Sequence, residues 1–291
     1  MKNNKQILVT GGAGFVGTNL IKLLLKKTSY KVVSIDNYTS GTKLNHIRSS
    51  RVKYIKGNTA NISKFVKNPN KIKTIFHFGE FARIYQSFLK MDQCIESNSI
   101  GTNAIFNFCL KHKVKLIYSA TSASLGNKGN DRNLSPYAFT KAKNLELLEN
   151  LKKWFNFKYE VIYFYNVYGP HQICRGQMST VIGIFEDHYK RKEPLPVVLP
   201  GTQTRRFTHI SDTVEICYLA WKKNLCRHYS IASKKSYSVL EVAKIFKSKI
   251  KFLPRRQGER YASALSKINL SNKIYKHFGK IKLKDYIHDL I

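Results

Sequence analysis

Acidic side chains are scarce in this chain: 17 aspartates and glutamates stand against 51 lysines and arginines in 291 residues, a formal net charge of +34 at pH 7. Such an excess raises nucleic acid or an anionic surface as a partner. The bases are scattered, however, with no polybasic tail and no basic module interleaved with aromatics. They read as solvated faces rich in lysine, so no nucleic-acid partner is expected, although anionic small substrates would be attracted. The five cysteines (Cys94, Cys109, Cys174, Cys217 and Cys226) are odd in number and form no CxxC pair. That speaks against a disulfide framework and a zinc site, and for reduced thiols in a cytoplasmic compartment. No window approaches the ~18 apolar residues of a membrane span, so no membrane partner is expected. The start, MKNNKQILVTGGAGFVG, lacks the apolar core and cleavage pattern of a signal peptide. Internal repeats and low-complexity segments are also missing.

What is present suits a packed globular protein: 43% hydrophobic and 12% aromatic residues, in a length that fits one large domain or two moderate ones. QILVT (6–10) is a short apolar run that ends directly on Gly11-Gly12-Ala13-Gly14-Phe15-Val16-Gly17. A helical pattern follows (Leu20, Ile21, Leu23, Leu24, Leu25), then KVVSI (31–35) and Asp36. Strand, glycine loop, helix, strand and an acid about 20 residues past the glycines together form a dinucleotide-binding unit. The glycines allow a tight turn and close backbone approach to a pyrophosphate at the helix N-terminus. Asp36 would accept hydrogen bonds from the adenosine ribose and repel a 2′-phosphate, which favours NAD over NADP.

Further strands are expected at 52–56, 74–78, 115–119, 160–165 and 229–231, with helical stretches around 96–112, 138–153, 178–192 and 238–250. Repeated strand–helix–strand signals imply an α/β fold with a parallel, doubly wound sheet. Pro194, Pro196 and Pro200 mark a loop-rich region, so a smaller lobe is expected after Gly169-Pro170.

SPYAFTK (135–141) carries the chemistry. Tyr137 and Lys141 are four residues apart, one above the other on a helix. A cation beside a phenol lowers its pKa from ~10, which makes the tyrosine a usable acid/base toward a sugar or alcohol oxygen.

With these motifs assembled, the chain resembles the extended short-chain dehydrogenase/reductase family, the NAD-dependent nucleotide-sugar epimerases and dehydratases. The resemblance rests on TGGAGFVG (10–17), DNYTSG (36–41), FHFGE (76–80), NSIGT (98–102), YSATSASLG (118–126), PYAFTK (136–141), FYNVYGP (164–170), RRFTHISD (205–212) and RRQGE (255–259). It implies a Rossmann NAD-binding domain over 1–169, completed by the strand near 229–231. A smaller C-terminal α/β lobe for the nucleotide sugar, 170–291, would be interleaved with it.

By position, the resemblance assigns Gly11, Gly14 and Gly17 to the pyrophosphate loop, with Phe15 and Val16 donating amides. Asp36 and Asn37 fall to the ribose, Asn58 and Thr59 to the adenine, and Phe78, Gly79 and Asn98 to the nicotinamide side. Thr121, Tyr137 and Lys141 match the catalytic set. Asn166, Arg205 and Arg256 match substrate contacts, the two guanidinium forks suiting a diphosphate. His171, His209 and Cys174 lie near motifs but read as packing or loop residues.

Four departures stand out: Asn58 in place of an aspartate, Glu80 in place of Ala or Gly, Tyr163 in place of an arginine, and Leu125 in place of a tyrosine. Glu80 would either crowd the nicotinamide ribose or pair with Arg83. Dehydratases of the family carry Asp-Glu directly after the threonine, for elimination across C5–C6, and the decarboxylating branch keeps the Glu. Here Ser122 and Ala123 occupy those places. The expected activity is therefore a UDP-sugar 4-epimerase using NAD, as a homodimer supplying polysaccharide synthesis. A 4-keto-sugar nucleotide reductase or dehydratase of the same family and a catalytically idle dinucleotide-binding interaction protein are the alternatives.

Overall fold

The computed structural model describes residues 5–125, 133–262 and 274–291. The sequence expectations that touch residues 1–4 and Gly126 lie outside them. Eight strands form one sheet in the spatial order Ile274–Phe278, His228–Ala232, Tyr159–Phe164, Lys115–Thr121, Ile72–His77, Gln6–Thr10, Lys31–Asp36, Val52–Lys56. Every neighbouring pair runs parallel. The central strands are near-continuous runs of buried residues, as in QILVT and LIYSAT. A parallel sheet covered by helices on both faces demands that pattern.

From Gln6–Thr10 the chain builds outward through Lys31–Asp36 and Val52–Lys56. It then crosses back to lay Ile72–His77 on the other side of the first strand. This reversal opens a crevice at the carboxyl ends of the two central strands, where α/β sheets bind ligands. The loops that open there are Gly11–Gly17 and Phe78–Glu80. Helix Phe15–Lys27 packs on one face against helix Ile210–Lys223. On the other face, helices Thr102–His112 and Pro136–Phe155 bury Ile105, Phe106, Leu148 and Leu151 in the core.

A second apolar cluster gathers Tyr168, Phe185, Leu195, Val197, Phe207, Val242, Phe246 and Ile287. It lies between helix Val181–Lys190, helix Val239–Ile245 and the parallel pair Leu195–Val198/Ile250–Leu253.

Several elements differ from expectation, among them Leu195–Val198, a strand inside the region expected to be rich in loops. The helix expected over 96–112 begins at Met91 and passes through a π-helical turn, Glu96–Gly101, before Thr102–His112. Such π turns are characteristic of functional sites, and this one carries Asn98. The helix expected over 238–250 is helical only over Val239–Ile245. Lys247 takes a positive φ of 54° and the chain turns into a strand. The edge strand Ile274–Phe278 was not anticipated; its IYKHF is only partly buried, and an edge strand needs little apolar patterning.

Candidate active site

The glycine loop is shaped by contact. Gly11 sits at φ +68°, and a Cβ there would lie 2.9 Å from the Gly79 nitrogen; a Cβ on Gly17 would lie 2.2 Å from the Gly11 carbonyl oxygen. Only glycine lets the two loops of the crevice touch. Gly14 is the N-cap of helix Phe15–Lys27 and brings no side-chain cap. The first-turn amides, Phe15 and Val16 included, thus meet an anion without a competing side chain. Asp36, 6% exposed, accepts from the Ala13 amide at 2.9 Å and the Tyr38 amide at 2.8 Å. Burial pushes its carboxyl above the ordinary range against these bonds. An uncapped helix start, a cradle that a methyl would fill and one acid at the second strand's end fit a dinucleotide.

The other expected cofactor residues surround this cradle. Asn37 is exposed and accepts from the Thr39 amide. Asn58 caps the turn that begins at Thr59 and donates to Glu96 at 2.9 Å. Phe78 and Gly79 both donate backbone N–H to Thr10 Oγ1, at 3.1 and 3.0 Å. Asn98 is fully buried: its Oδ1 accepts from the Phe81 amide at 2.6 Å, and its Nδ2 donates to the Phe81 carbonyl and to Thr140. Its side chain therefore fixes the 78–81 loop.

Ser135 caps helix Pro136–Phe155 through the Ala138 amide, with Pro136 in the first turn. This sets Tyr137 and Lys141 on the buried side. The Thr121 hydroxyl lies near the Tyr137 phenol and favours its ionised form. Burial pushes the phenol up to about 12; Thr121, Arg83 and Arg260 pull it down, and Glu80 adds to the rise.

The expectation that Lys141 does the lowering needs correction, because Lys141 is committed elsewhere. Its Nζ donates to Glu80 Oε2 and, at 2.6 Å, to the Ser119 carbonyl. Glu80 thus pairs with Lys141 and not with Arg83, whose guanidinium donates to the carbonyls of Met178 and Ala82.

Glu80 is the hub of a buried network. It accepts from Thr102 (3.0 Å), Tyr118 (3.1 Å), Ser119 (3.4 Å) and Asn144 (3.5 Å). Thr102 also contacts His77 Nε2 at 3.0 Å, and His77 Nδ1 meets Thr10 Oγ1 at 2.7 Å. Thr10 Oγ1 already accepts two amides, so it donates to Nδ1. Nε2 then carries the hydrogen and donates to Thr102. Burial, the dominant cause, holds His77 down at about 4, so it is neutral.

At the substrate end, Asn166 has φ +35°, a conformation asparagine tolerates, and donates to the Arg206 carbonyl. Arg205, 6% exposed, gives Nη1 to the Thr204 and Arg260 carbonyls and Nη2 to Glu259. Its guanidinium ties down the 259–260 segment. Arg256 is exposed, 5.5 Å over the Tyr85 ring. Tyr163 and Leu125, two of the departures, are core residues. His209 caps helix Ile210–Lys223 through the Ser211 amide, and His171 contacts Asn45 and Lys22. Among the described residues no cluster could hold a metal ion, and no helix is long and apolar enough to cross a membrane.

Sequence reasoning missed Arg260. It is 3% exposed and donates to the Ser122 carbonyl at 2.8 Å, directly beside Thr121. The only available signal was an arginine immediately after RRQGE.

Comparison with known proteins agrees with this geometry. A putative UDP-glucose 4-epimerase of Methanocaldococcus jannaschii is 27% identical over 88% of this chain and 88% of that protein. An ADP-L-glycero-D-manno-heptose-6-epimerase of Brachyspira hyodysenteriae is 28% identical over 83% of this chain and 80% of its own length. Among solved structures, the UDP-glucuronic acid 4-epimerase of Bacillus cereus, in complex with UDP-glucuronic acid and NAD, superposes with a TM-score of 0.83. It is 26% identical, covering 98% of this chain and all of its own. The family model "NAD dependent epimerase/dehydratase family" matches residues 7–232. With a glycine cradle, one buried acid at the end of the second strand and the Thr121/Tyr137/Lys141 set at the crevice, the chain belongs to the NAD-dependent epimerase/dehydratase family, and its cofactor is NAD.

Proposed function

We propose that the protein is a nucleotide-sugar 4-epimerase that oxidises its substrate transiently at C4. The observation that carries this reading is the placement of Thr121 beside the Tyr137 phenol with no carboxylate at positions 122 and 123. Elimination across C5–C6 asks for an additional acid and base, whereas epimerisation at C4 needs one group that takes a proton and returns it. Among the described residues, Glu80, the carboxylate whose charge acts on Tyr137, is engaged by Lys141. NAD, when bound, supplies the hydride acceptor and gives the hydride back within the same turnover.

Tyr137 as phenolate takes the proton of the C4 hydroxyl at its Oη, while Thr121 orients that oxygen. Arg83 and Arg260 favour the phenolate by their charge. An ammonium group has three donors, so Lys141 keeps two on Glu80 and Ser119 and turns the third toward the nicotinamide ribose. Arg256 and Asn166 hold the diphosphate, and Arg205 holds the segment beside it. The nucleotide unit comprises 1–169 with helix Ile210–Lys223 and the strands His228–Ala232 and Ile274–Phe278, and the sugar lobe is built around the second apolar cluster.

The test is proton NMR in D2O with UDP-glucose, UDP-N-acetylglucosamine and UDP-glucuronate in turn. Interconversion of gluco and galacto signals is expected without added cofactor and without deuterium entering the ring. A deuterated 4-keto product would make the protein a dehydratase, and turnover only with added NADH would make it a reductase.

A further inference from the structure

The sugar end of the crevice holds a cation that proton transfer at C4 leaves largely unexplained. Arg260 places Nη1 on the Ser122 carbonyl at 2.8 Å and Nη2 near Ser122 Oγ at 3.4 Å, and its Nε has no partner among the described residues. A guanidinium has five N–H donors, and two neutral acceptors on one serine do not cancel its charge. Glu259, the carboxylate next to it in sequence, is bound to Arg205. No carboxylate among the described residues stands within ion-pair distance of Arg260. The strongest charge acting on it is the like charge of Arg205. Burial and that neighbour pull it down to about 10, so it remains cationic at neutral pH. A buried, unpaired charge is unfavourable and awaits a counter-ion.

Position indicates which counter-ion. Ser122 follows Thr121 directly, and Tyr137 lies within the field of Arg260. A pyranose whose C4 oxygen lies between Thr121 and Tyr137 presents its C3 and C5 substituents to this neighbourhood. The diphosphate hangs from C1, on the far side of the ring. An anion at Arg260 therefore belongs to the sugar itself. The carbon next to C4 that carries a further carbon is C5.

We propose that Arg260 is the recognition site for a carboxylate at C6, so that the substrate is a nucleotide-linked uronate. The inference rests on the 4-epimerase reading. The carboxylate pairs with the charge of the guanidinium, an interaction for which arginine is suited, while Nη1 stays on the Ser122 carbonyl and anchors the group.

Isothermal titration of the NAD-loaded protein with UDP, UDP-glucose and UDP-glucuronate tests this. The expected result is UDP-glucuronate binding about tenfold or more tighter than UDP-glucose. Arg260→Gln should bring the two sugars within about threefold of each other and leave UDP unchanged, with Arg260→Lys between. Retained NAD in each variant reports folding, and the wild-type comparison stands without any variant. Equal binding of the two sugars by wild type would overturn the proposal. So would an Arg260→Gln protein that keeps NAD but weakens UDP as much as UDP-glucuronate, since Arg260 would then serve the diphosphate. If UDP and both sugars fail to bind, the nucleotide-sugar reading itself falls, and that result is distinct from sugars binding without preference.

Discussion

The two walls of the crevice are built by different means. The wall that rises from the first strands is mostly backbone: glycines in contact across two loops, an uncapped helix start and one acid. The facing wall is made of charged side chains, with Arg83, Arg205 and Arg260 each held by main-chain carbonyls. Glu80 and Lys141 lie between the two walls as a buried pair. A backbone wall recognises a shape common to dinucleotides, whereas a wall of positioned cations recognises charge at particular points of a substrate. Substitutions on the two walls should therefore fail in different ways.

The largest effect is expected for Tyr137→Phe. Turnover should fall about a hundredfold or more, with bound NAD unchanged; a variant retaining more than roughly a tenth of wild-type turnover would remove Tyr137 from the proton step.

Gly17→Ala tests the opposite wall. Its methyl would stand 2.2 Å from a backbone oxygen that has no room to move. Loss of co-purifying NAD and a lower Tm are expected, and an NAD-replete, equally stable variant would show that the loop does not need glycine at this position. Arg256→Ala, by contrast, should raise KM and leave NAD content intact.

Glu80→Gln addresses the junction. Lys141 then keeps a buried charge without its partner, a loss on the order of 3–5 kcal/mol, read as a fall in Tm. Glu80 raises the Tyr137 pKa, so its neutralisation should move the rising limb of the kcat/KM–pH profile to lower pH. Arg83→Met should move that limb to higher pH, because Arg83 pulls the other way. If both variants shift the limb in the same direction, charge is not what tunes Tyr137.

The smallest effect is expected from His77. Its pKa is about 4 when folded, below the ordinary 6.5, so the unfolded chain binds the proton first as pH falls. Stability should then decline between about pH 6.5 and about pH 4, and His77→Gln should flatten that part of a Tm–pH curve.

Much of the first wall was legible because its determinants are local. TGGAGFVG and Asp36 lie within one strand–helix–strand unit, and Gly17 is required by a contact inside it, although Gly11 is required by Gly79, far along the chain. SPYAFTK was legible for the same reason, since a cap and a four-residue spacing define one helix. The electrostatics of the site were not legible. Glu80 and Lys141 are 61 residues apart, and nothing in FHFGE distinguishes a partner at Arg83, three residues on, from one on a distant helix. Asn98 was read as a contact of the nicotinamide, yet a π-helical turn, which has no sequence signature, commits its amide to the 78–81 loop.

The sequence by itself determined most of the sheet, the glycine loop and the alignment of Tyr137 with Lys141 on one helix. Those depend on hydrophobic periodicity, on glycine where backbone meets backbone, and on spacing within a single helix. The tertiary structure alone decided which charges meet. It put Glu80 under Lys141, locked Arg205 to Glu259, and left Arg260 buried beside Ser122 without a counter-ion among the described residues. Ion pairing depends on distance in space and on exclusion of water, and neither quantity is written along a chain.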